Sequence, residues 1–98
     1  MENFHMEMFD ELFEAVLKLK SVKDCRKFFE DVCTIKEIQD MTQRLEVAAL
    51  LKQGNNYQEV SKKTGASTAT ISRVNKCLNY GSGGYNLVLN DNKDGESK

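Results

Sequence analysis

NYQEVSKKTGASTATISRVNKCL, running from Asn56 to Leu78, is the stretch whose reading decides the fold. Val60 and the small Ser61 belong to a short helical pattern that runs into Thr64-Gly65-Ala66. Ile71, Val74 and Leu78 then recur at helical spacing. Gly65 stands where a first helix must stop and turn sharply, a place that favours a residue without a Cβ. Ser67 can cap the next helix by accepting a bond from an orphan backbone N–H. Ser61 allows close crossing, and Val60, Ile71 and Val74 can form a small core between two helices joined at about 90 to 120°. The pattern predicts a helix-turn-helix.

The second helix of that pair begins with Ser67, Thr68, Ala69, Thr70, Ser72 and Arg73, which are short, polar or cationic. Such a surface suits the major groove of double-stranded DNA, where hydroxyls meet base edges and a small apolar side chain can touch a thymine methyl. On this reading Thr68, Ala69, Thr70 and Ser72 face bases, with the capping Ser67 beside them on the DNA-binding surface, while Asn56, Tyr57, Lys62, Lys63, Arg73 and Lys76 face phosphates. A helix start built from Thr68-Ala69-Thr70 gives up helix propensity without an evident packing return. The alternative is a plain helical hairpin whose serines and threonines are only solvated.

Charge supports the first reading once it is divided along the chain. The 98 residues carry a net charge of −1. Residues 1–33 hold five cations against eight anions, and residues 34–80 hold seven against four, so the positive part coincides with the helix-turn-helix. A local field over a docking surface provides much of the affinity for nucleic acid. With 40% hydrophobic and 30% charged residues, no proline and no tryptophan, the composition is that of a soluble helical protein. Cys25, Cys33 and Cys77 are odd in number and lack paired spacing, so they are expected as buried, reduced thiols rather than metal ligands or disulfides. No signal peptide or membrane-spanning run is evident, which points to the cytoplasm. No His/Cys/Asp constellation suggests an enzyme, and the glycine-rich segment near the C-terminus lacks the lysine and spacing of a phosphate loop.

Upstream of the deciding stretch, Thr34-Ile35-Lys36-Glu37 has the form of a capping box. It opens a long helix through Ile38, Met41, Leu45, Val47, Ala48, Leu50 and Leu51 that stops at Gly54-Asn55. Ser21 with Asp24 resembles a capping box with a shorter acid, opening a helix from Lys23 to Cys33 with Cys25, Phe28, Phe29 and Val32 on one face. Before it, Phe9, Leu12, Phe13, Val16, Leu17 and Leu19 predict an amphipathic helix from Met6 to about Lys20. All five phenylalanines precede residue 30. One short hairpin gives them few internal partners, so burial against a second chain is expected. Downstream, Gly81-Ser82-Gly83-Gly84-Tyr85 predicts a flexible joint, Leu87-Val88-Leu89 a short strand or docking clip, and the polar end from about residue 90 disorder.

These features resemble the Trp repressor superfamily, in its YerC/YecD-type branch. The resemblance rests on the helix start from Thr34 to Glu37, on Thr42-x-Arg44, on Gly65-Ala66-x-x-Ala69-Thr70-Ile71-x-Arg73, and on Gly81-x-Gly83-Gly84-Tyr85. It implies an all-α helical bundle in which two chains interlock through their N-terminal helices into an intertwined homodimer. Residues 1–80 would form the domain, with dimerisation helices over 6–53 and the helix-turn-helix over 56–78, followed by a short, irregular, glycine-rich tail over 81–98. The resemblance also implies a sequence-specific transcriptional regulator, a repressor, on a pseudo-palindromic operator. The rival is a helical module that binds protein.

In that family tryptophan sets the spacing of the two reading heads. Arg44 and Arg73 match the arginines that flank the indole, and Thr34 matches the threonine near it. Val74 stands in place of a glycine and Cys77 in place of a serine, so a branched side chain crowds the pocket and a thiol bonds weakly. No tryptophan response is therefore expected. Arg73 has a phosphate as its plain alternative partner, and Arg44 an acid such as Glu37 or Asp40. The turn after Gly54 is one residue shorter than in the repressor, and the repressor's last helix is expected to have no counterpart.

Overall fold

A computed structural model describes residues 5–89 of the chain. Among the described residues there are six α-helices, one 3-10 turn and no strand, so the expected all-α class holds. The helices are α1 (Asp10–Val16), preceded by the 3-10 turn Met6–Phe9, α2 (Val22–Val32), α3 (Ile35–Lys52), α4 (Tyr57–Thr64), α5 (Thr68–Tyr80) and α6 (Gly84–Leu89). The chain divides into two compact units, Met1–Ile35 and Lys36–Lys98. The disorder expected from about residue 90 falls on residues 90–98, outside the described residues.

In the first unit, α1 is shorter than its apolar pattern suggests. It ends at Val16, where Lys18 and Leu19 donate tight bonds to Ala15 and Val16 at 3.1 and 3.0 Å. The N–H of Lys20, which a continuing helix would turn back on Val16, donates instead to the Asp24 carboxylate at 3.0 Å. Ser21 caps α2 by accepting from the Asp24 N–H at 3.0 Å. The acid therefore reaches one residue further back than a capping box requires, and in doing so it competes with the end of α1. Phe28 and Phe29 meet edge to face, with ring centroids 5.2 Å apart and an interplanar angle of 86°. No described residue of this unit is buried, and Leu12 remains 47% and Leu17 82% exposed.

The second unit holds the core. Val47 and Ala48 of α3, Val60 of α4, Ala66 of the turn and Ile71 and Val74 of α5 are all buried, with Leu50, Leu51, Leu78, Tyr85 and Leu89 packed around them. Three helices thus bring one small apolar stripe each to a common centre, which fixes α4 and α5 against the long α3. Gly54, at φ 95, and Asn55, whose side-chain amide donates to the Leu50 carbonyl at 3.0 Å, close the end of α3.

Three expectations are corrected. Residues 84–89 are not part of an irregular tail, and Leu87-Val88-Leu89 is not a strand, because these six residues form α6. Tyr85 and Leu89, one helical turn apart, face the core together, and this burial outweighs the weak intrinsic tendency of so short a helix. The three thiols are free, but against the expectation of burial Cys25 and Cys77 are exposed and only Cys33 is half-buried; Cys25 shares the face of Phe28, Phe29 and Val32, in a unit where no described residue is buried.

Candidate nucleic-acid interface

The helix-turn-helix is held by local bonds that explain its sequence. Gly65 adopts φ 75 at the end of α4, in the left-handed region, and its N–H donates to the Ser61 carbonyl at 2.8 Å. Ser61 Oγ donates to the Ala66 carbonyl at 2.9 Å, Thr64 Oγ1 donates to the Val60 carbonyl at 2.7 Å, and the Ala66 N–H donates to Thr64 Oγ1 at 3.1 Å. Gln43 of α3 reaches the Thr64 carbonyl at 3.2 Å and ties the turn to the long helix. Ser67 caps α5, accepting from the Thr70 N–H at 3.1 Å.

Beyond that cap, Thr68, Ala69, Ser72, Arg73 and Lys76 are exposed, whereas Ile71 and Val74 point into the core. Positions 68, 69, 72, 73 and 76 follow helical spacing and therefore share one outward face. Thr70 sits between the faces, half-buried, with its Oγ1 accepting from the Ser67 hydroxyl at 3.2 Å. Residues 68–80 include no carboxylate. Lys62 and Lys63 are exposed in the last turn of α4, and Lys63 donates to the Asn55 side chain at 3.2 Å. Glu59, the one acid of α4 and α5, is turned back on the Asn56 N–H at 2.8 Å, while Asn56 accepts from the Glu59 N–H at 2.9 Å. Asn56 is thus the cap of α4, a role that Asn-x-x-Glu spacing could have revealed. Tyr57 follows it and is exposed.

The residues matched to an effector pocket are only partly brought together. Arg44 and Cys77 line a cavity of about 570 Å³ in the second unit, with Met41 and Leu45 of α3 and Tyr85 and Val88 of α6. Arg73 is not among its lining residues, and Val74 is packed in the core rather than on the cavity wall. Thr34 belongs to the first unit. Asp40, offered as an acid for Arg44, instead receives the Lys36 ammonium at 2.9 and 3.2 Å, one turn away on α3. Tyr85 and Val88 were missed because the glycines before them read as a joint. Among the described residues no group of His, Cys, Asp and Glu could hold a metal ion, and no helix is long and apolar enough to cross a membrane.

The fold and its outward face define an all-α helix-turn-helix protein. The chain belongs to the Trp repressor family, whose model, described as Trp repressor protein, matches residues 7–93. It is 52% identical over 89 residues to YerC of Bacillus subtilis (strain 168), described as an uncharacterized protein, covering 91% of this chain and 86% of that one. Among solved structures it resembles a TrpR-like protein from Eubacterium eligens, with a TM-score of 0.80 and 52% identity over 85% of this chain and 86% of the other. It also resembles a candidate Trp repressor from Staphylococcus aureus, with a TM-score of 0.82 and 43% identity over 89% and 92%.

Proposed function

We propose that this protein is a cytoplasmic, sequence-specific regulator of transcription, a repressor, that binds a pseudo-palindromic operator in double-stranded DNA as a homodimer. The observation that carries the reading is the outward face of α5: a serine-capped helix start exposing Thr68, Ala69 and Ser72, flanked by Arg73 and Lys76 and free of carboxylates. Thr68, Ala69 and Ser72 read base edges, with Thr70 beside them. Asn56, Tyr57, Lys62, Lys63, Ser67, Arg73 and Lys76 hold the backbone, the basic side chains by charge and the helix starts by their backbone N–H groups. Membership of the Trp repressor family supports the same reading. The apolar side chains left exposed on α1, Leu12 and Phe13, support a second copy as the partner of the first unit.

Selection from random genomic fragments tests it. The expected product is a duplex with two inverted half-sites whose centres lie about 10 base pairs, or a multiple of that, apart. Recovery of no common sequence would favour the protein-binding rival.

A further inference from the structure

Helix α6 has six residues, too few to persist by itself in water. Its form must come from what it touches. Tyr85 and Leu89 pack on the core shared by α3, α4 and α5, and the Lys52 ammonium at the end of α3 donates to the Asn86 side-chain carbonyl. The connection from α5 is built to reverse the chain. The Gly81 N–H closes α5 on the Cys77 carbonyl at 2.9 Å, and a Cβ at position 81 would lie 2.5 Å from that same oxygen. Gly83 then adopts φ 87, in the region that favours glycine. The reversal brings Tyr85 and Val88 of α6 to an open cleft of about 570 Å³ whose other walls include Met41, Arg44 and Leu45 of α3 and Cys77 of α5. Helix α6 is thus tied to α3 by the Lys52–Asn86 bond and to the shared core by Tyr85 and Leu89.

We propose that α6 is a strap that holds the C-terminal half of α5 against α3 and so sets the angle at which α5 meets DNA. The last turn of α5 runs straight into the Gly81–Gly83 connection, and its Cys77 shares one cleft wall with Tyr85 and Val88 of α6, so its order depends on whether the strap is seated. The effect on DNA rests on the DNA-binding reading, but the effect on α5 itself does not.

Two full-length variants move the strap in opposite directions. Tyr85→Ala removes its largest anchor. Gly84→Ala stiffens it: an added Cβ at position 84 meets nothing within 4 Å, and the residue lies outside the left-handed region. Amide hydrogen exchange in the free protein is read at Leu78, Asn79 and Tyr80, with α4 as the internal reference. Tyr85→Ala is expected to speed exchange there by about tenfold or more while α4 is unchanged. Gly84→Ala is expected to slow it roughly two- to fivefold, as the alanine preference in helices implies. Equal exchange at these three amides in the natural protein and in Gly84→Ala overturns the strap, and that comparison stands even if Tyr85→Ala does not fold. On a selected operator, Tyr85→Ala is expected to weaken binding about tenfold at unchanged half-site preference. Faster exchange with unchanged operator affinity overturns the positioning of α5 for DNA. Failure of the natural protein to bind any duplex overturns the DNA reading, while the exchange comparison still decides the strap.

Discussion

Ser67 and Ser72 lie five positions apart and have different duties. Ser67 is spent on the helix, since its hydroxyl oxygen accepts the Thr70 N–H. Ser67→Ala is expected to lower stability by about 1 kcal/mol in urea unfolding. Ser72 is exposed on the face opposite the core. Ser72→Ala is expected to leave stability within about 0.5 kcal/mol and to reduce discrimination between operator and random duplex by about 1 to 3 kcal/mol, read from paired binding titrations. Equal weakening on both duplexes would remove Ser72 from the reading surface. Thr70 belongs to both classes because it is half-buried and accepts from Ser67, so its substitution should move stability and binding together. Gly65 and Ser67 were legible in the sequence because their roles are local: one backbone dihedral and one bond three residues long. Asn56 was less so, since an exposed amide before a basic helix reads equally as a cap or a phosphate contact.

Helices α3, α4 and α5 were legible because each carries its apolar stripe at helical spacing and a stop signal at its end, Gly54, Gly65 and Gly81. Helix α6 was not. Its glycines dominate the local composition, and the reason it is helical, the seating of Tyr85 and Leu89 on residues from other helices, is tertiary. Helix α1 was overextended for a related reason: periodicity through Leu19 says nothing of the Lys20 to Asp24 bond that competes with its last turn. The effector site was half legible. Arg44 and Cys77 do share a cavity, but Arg73 and Val74 lie off its wall, and Tyr85 and Val88 line it instead. Two arginines are therefore not both among its lining residues to sandwich an indole. L-tryptophan is expected to produce no micromolar heat of binding and no change in operator affinity. A calorimetric titration that gave micromolar binding with tenfold tighter DNA association would reverse this.

At the scale of the molecule, the first unit is the part least able to stand alone. No described residue there is buried, and Leu12 and Phe13 of α1, Leu17 just beyond it, and Val22 and Val32 of α2 remain exposed. Patches of that kind are rare on monomers. Sedimentation is expected to give a dimer at micromolar concentration, and Phe13→Glu to shift it to monomers or unfold it; a natural protein that sediments as a folded monomer would sink the dimer. In the proposed dimer, Lys62, Lys63, Arg73 and Lys76 from each copy would supply eight cations to the DNA-facing surface. The most direct test of the central claim is the salt dependence of binding to a selected operator, followed by fluorescence anisotropy beside a scrambled duplex of equal length. If the eight cations meet phosphates, the logarithm of the association constant should fall with the logarithm of salt concentration at a slope near about −7, with the operator remaining at least ~10³-fold tighter than the scrambled duplex. Binding that is indifferent to salt, or equal on the two duplexes, would contradict it.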